Sequence, residues 1–75
     1  MFNKTVFYEE LREFQSQHPF LRRGQAAFTL IFVRYLQSDQ IKGLVDTEFD
    51  PFYHDDRVRK FVDECERILN QEVVD

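Results

Sequence analysis

Cys65 is the only thiol in this chain of 75 residues. One cysteine forms no internal disulfide, which argues against a small secreted scaffold and fits a reducing compartment. Only two glycines and two prolines occur, and there is no glycine-rich phosphate loop and no nucleophile elbow. Histidine is equally scarce: neither His18 nor His54 has a context that suggests a catalytic triad. Long apolar runs are missing too. The longest without a charge, residues 26–33, contains Thr29 and falls far short of the roughly 20 residues of a membrane span. The first ten residues hold no run suited to a signal peptide. A soluble, cytoplasmic protein with no membrane partner is the expectation.

Positive charge is also short. Ten Lys and Arg stand against 14 Asp and Glu, a formal charge of −4, whereas phosphate binding wants a concentrated basic face. Arg22-Arg23 is the only tight basic doublet before Arg57, Arg59 and Lys60. A chain this short buries only about 60% of its unfolded surface, and its stability is expected near 5 kcal/mol, roughly the low end for native domains. Nine Phe and three Tyr compensate, because aromatics bury much area per residue.

The periodicity is helical throughout, and no stretch shows sustained strand alternation. Thr5 or Asn3 can cap a first helix running to about Gln17, with Phe7, Leu11 and Phe14 as its apolar stripe. His18-Pro19 ends it, since the residue before proline is pushed out of the helical region. A second helix is predicted from Leu21 or Gly24 to Gln37. Its apolar residues are too many for one stripe, so it should be covered on several sides, and a homodimer becomes plausible. Ser38 and Asp39 suit the start of a short helical turn through Ile41 and Leu44, with Gly43 near its end. The last helix, capped by Asp55 or Asp56, carries the stripe Val58, Phe61, Val62, Cys65, Ile68 and Leu69. On its outer face Asp63 and Arg67 are spaced for an i,i+4 pair, and Lys60 and Glu64 for one in the weaker order. The predicted fold is all-α: a single helical domain over 1–75, three main helices, a short connecting turn and an acidic, aromatic loop.

That loop, residues 46–57, is the most informative stretch. It holds Phe49, Phe52 and Tyr53 among Asp46, Glu48, Asp50, Asp55 and Asp56, with no base before Arg57. Large apolar side chains in a surface loop either plug the core or meet a partner. Asp50-Pro51 reads as a helix start, aspartate capping and proline taking the first helical position. Asp46, Glu48 and Asp50 have the spacing that opens a calcium loop. Pro51 and Arg57 then stand where glycine and glutamate are needed, so the comparison fails. His54 beside Asp55 and Asp56 lacks the companions of a transition-metal site, and no metal or cofactor is expected. Cys65 has apolar neighbours at i−4, i−3, i+3 and i+4 and reads as a core thiol. No catalytic residue emerges, and no enzyme is expected. An arginine at 22 or 23 could pair with Asp55 or Asp56, and Gly24 could allow the loop to approach closely.

Arg22-x-Gly-Gln-Ala-x-Phe28, followed by Asp50-Pro-Phe-Tyr-x-Asp-x-Arg57, resembles a pattern in short uncharacterised helical proteins of phage and prophage type. The likeness covers about half the chain. It departs from the pattern in a longer connector, residues 44–49, and in His54 where an acid is usual. The resemblance implies no activity. It implies a context in which small phage proteins bind a larger protein, host machinery or a defence complex. The reading that follows is a non-catalytic protein-binding module, with Arg22, Arg23, Phe52, Tyr53, His54, Asp55 and Asp56 forming or bordering the partner surface. A DNA-binding regulator of helix–turn–helix type and a structural homo-oligomer are the alternatives. Against DNA, the segment placed like a recognition helix, residues 38–44, offers only Lys42.

Overall fold

A computed structural model describes residues 2–35 and 38–72, and in them the chain is all-α. The elements are α1 (Lys4–Gln17), α2 (Arg23–Arg34), the single turn α3 (Asp39–Lys42), a 3-10 turn (Asp55–Arg57) and α4 (Val58–Glu72). The expected extension of the second helix through Leu36 to Gln37 lies outside the described residues.

Local chemistry accounts for most of the boundaries. Asn3 accepts the Val6 N–H at 3.1 Å and so fixes the start of α1, while the His18 N–H returns to Phe14 and Gln15 at its end. At α2, Gln25 reaches back to accept the Arg22 N–H at 3.2 Å, the glutamine half of a capping box. Ser38 accepts the Ile41 N–H and starts α3.

The core is one cluster to which all four helices contribute. Phe7 and Leu11 enter from α1, Ala26, Ala27 and Ile31 from α2, and Ile41 from α3. α4 supplies its whole stripe, Val58, Phe61, Val62, Cys65, Ile68 and Leu69, every member buried. Phe2, ahead of the first helix, is buried as well and sits 5.7 Å from Phe7, ring centre to ring centre. α2 packs on α1, α4 and the 3-10 turn, whereas α3 packs on α4.

Two sequence expectations fail. Asp63 turns to Lys4 of α1 at 3.2 Å, and Arg67 grips Glu64 one turn back at 2.7 Å. Lys60 in turn reaches Glu48 of the loop at 2.8 Å. Lys4 and Glu48 thus draw Asp63 and Lys60 to other elements, and Glu64 and Arg67 pair with each other within α4, in place of the expected Asp63–Arg67 and Lys60–Glu64 pairs. Asp50-Pro51 likewise opens a turn, not a helix. The Asp50 carboxylate accepts the Phe52 N–H at 2.9 Å and the Asp46 N–H at 2.7 Å, and the Pro51 carbonyl accepts the His54 N–H at 3.0 Å. Side-chain acceptance from the residue two ahead is the aspartate turn that competes with helix.

Candidate interaction surface

The loop is fastened to the start of α2 at one close contact. Asp55 Oδ1 accepts the Gly24 N–H at 3.0 Å, satisfying one of the donors that a helix start leaves free. A β-carbon on Gly24 would clash with the Pro51 carbonyl oxygen and lie 3.0 Å from Asp55 Oδ1. Gly24 therefore does admit the loop. Asp55 was expected to cap its own helix or to pair with an arginine, and among the described residues it does neither. Its carboxylate caps a helix 31 residues away in sequence, while the 3-10 turn Asp55–Arg57 leads into α4 without a side-chain cap. Both Asp55 and Asp56 still lie at the positive end of α4, where negative charge is favourable.

From this joint an aromatic series runs from the core to the surface. Buried Phe61 lies 6.3 Å from Phe28, and Phe28 meets Phe52 edge to face at 5.3 Å. Phe52 then meets Tyr53 edge to face at 4.8 Å. Phe28 also stacks on Phe32 of α2 at 4.2 Å. The last member, Tyr53, is 73% exposed. The plug and the display are thus different residues: Phe52 is half-buried against Phe28, and Tyr53 stands out from it. Edge-to-face pairs fix ring orientation as well as burying area, so the tyrosine is carried on a packed base.

Around the corner, Tyr8, Arg23, Asp55, Asp56, Val58 and Arg59 line a cleft of about 440 Å³. The Arg23 guanidinium lies over the Tyr8 ring, 5.6 Å from its centre. Burial is the main influence pushing the Tyr8 hydroxyl above its ordinary range, with the Asp63 charge adding to it. Arg22 and Arg23 form no ion pair with Asp55 or Asp56 among the described residues. On the other side of the loop, Tyr53 and His54 share a depression of about 220 Å³ with Asp46, Thr47, Asp50 and Arg57.

The seven residues singled out by sequence therefore divide. Arg23, Asp55 and Asp56 face the Tyr8 cleft, Phe52 and Tyr53 belong to the aromatic series, and His54 lies on the Asp46 side. Arg22, exposed, is the residue just before α2. Sequence reasoning missed Tyr8, Arg59 and Phe28 as members of this region. Only the i,i+4 spacing of Phe28 and Phe32 hinted at a stacked pair.

Cys65 is fully buried, and burial pushes its thiol up to about 12, so it supplies no thiolate near neutral pH. Among the described residues no group of three His, Cys, Asp or Glu side chains is placed to hold a metal ion, and no helix is long and apolar enough to cross a membrane. No family model, curated protein or solved structure matches this chain.

Proposed function

We propose that this chain is a non-catalytic protein-binding module of phage type that modulates a host or phage protein complex, docking through the corner built by the loop and the start of α2. The carrying observation is Tyr53, 73% exposed at the end of a packed aromatic series. Tyrosine is enriched among residues that dominate interface energetics because it buries a large area and keeps a polar end to pair. Its packed base reduces the ordering that binding would otherwise require. The resemblance to short phage proteins supplies the context. The DNA-binding alternative draws little support from α3, whose four residues include one cation, Lys42.

Affinity capture from the cells that express the protein tests this reading. Tyr53→Ala and His54→Ala should each reduce the captured partner, while the melting temperature of each variant stays close to the parent's. If both variants retain the partner and Tyr53→Ala melts lower, the loop is a structural plug and the assignment fails.

A further inference from the structure

We infer that the aromatic corner of Phe28, Phe32, Phe52 and Tyr53 docks a basic segment of its protein partner, one that presents arginine beside an apolar side chain. This rests on the protein-binding reading above and names the chemistry of the partner. The corner is an apolar face with a half-buried base and an exposed tip, and its surroundings decide what covers it.

Residues 46–56 contain five carboxylates and no Lys or Arg. The rest of the chain then has ten bases against nine acids, so the net charge of −4 arises wholly within the loop. Within the loop only Glu48 is in an ion pair among the described residues, with Lys60. Asp50 and Asp55 accept backbone N–H groups. The Asp46 and Asp56 carboxylates have no hydrogen-bond or ion-pair partner among the described residues. Tyr53 stands beside Asp46 in one depression. Arg57 lines it too and is one base against Asp46 and Asp50 there, whereas Asp56 lies in the Tyr8 cleft with Arg23 and Arg59.

An arginine matches this combination better than a lysine. Its planar guanidinium stacks on an aromatic face while its N–H groups pair with a carboxylate. An acidic or phosphate-bearing partner would meet like charge, which suppresses wrong partners.

Three synthetic peptides sharing the same leucine positions, with arginine, lysine or glutamate at the others, test the inference by calorimetric titration of the full chain. The arginine peptide should bind tightest and the glutamate peptide should not bind. Tyr53→Ala, and separately Asp46→Asn, should each weaken the arginine peptide by roughly tenfold. Asparagine tolerates the left-handed backbone of Asp46, φ 63°, so the turn survives the change. Thermal melts of each variant confirm folding.

The inference is overturned if the glutamate peptide binds as well as the arginine peptide, if neither variant matters, or if no peptide binds. The capture experiment separates the two levels. A partner lost with Tyr53→Ala but kept by the aspartate variant leaves the binding module standing and rejects the basic segment. A partner kept by Tyr53→Ala and His54→Ala rejects the module itself.

Discussion

A methyl group at Gly24 would press into the Pro51 carbonyl oxygen, a backbone atom that cannot swing aside as a flexible side chain would. Gly24→Ala is therefore expected to destabilise by about 1–3 kcal/mol, the usual range for overpacking, and to loosen the loop from α2. A thermal midpoint equal to the parent's would show that the loop can retreat without loss. Phe61 is the complementary case, a large side chain whose removal leaves space. It is fully buried and lies against Phe28, so Phe61→Ala should cost about 3–5 kcal/mol. In a domain whose total stability is expected near 5 kcal/mol, roughly the low end of the native range, that change is expected to abolish cooperative melting.

Elements divide by whether their causes are local. The stripe of α4 was legible because its apolar residues recur at helical spacing and all six are buried. The Asn3 cap and the single turn after Ser38 were legible for the same reason: each depends on partners three residues away. The loop was only half legible. Its aromatics announced contact with the core, yet which of them plugs and which is displayed depends on Phe28, far away in sequence. The role of Asp55 was hidden likewise, since its partner, the Gly24 N–H, lies 31 residues back, beyond any spacing rule. The cap can be separated from mere charge. Asp55→Ala should cost about 0.5–2 kcal/mol, as loss of a helix cap does. Asp56→Ala, whose side chain has no hydrogen bond or ion pair among the described residues, should stay within about 0.5 kcal/mol. Equal losses in denaturant titrations would assign both aspartates to α4 and not to α2.

At the scale of the whole molecule, charge and apolar surface set the expected behaviour. Hydrogen bonds from Arg34, Lys60 and Arg67 hold Glu10, Glu48 and Glu64 below the ordinary glutamate range. The native state thus releases these protons more readily than the unfolded chain. Their contribution is present above the unfolded value of about 4.3 and is lost as pH falls through the lower native values. Exposed pairs are individually weak, so the melting temperature should decline gradually in acid, and Glu10→Gln should flatten part of that decline. A melting temperature independent of pH below about 4 would contradict it. The apolar surface bears on assembly. After α1, α4 and the 3-10 turn have packed on α2, Leu30 remains half-buried and Val33, three residues further along, is 67% exposed. α3 packs on α4. Closed two-fold dimers are the commonest oligomers and hide such a face against its own copy. Light scattering at tens of micromolar should give a mass near twice 9.2 kDa, and Val33→Asp should return the monomer, because a desolvated carboxylate on that face would lack a partner. A monomer mass for the parent protein would reject the dimer and leave the α2 face to another protein.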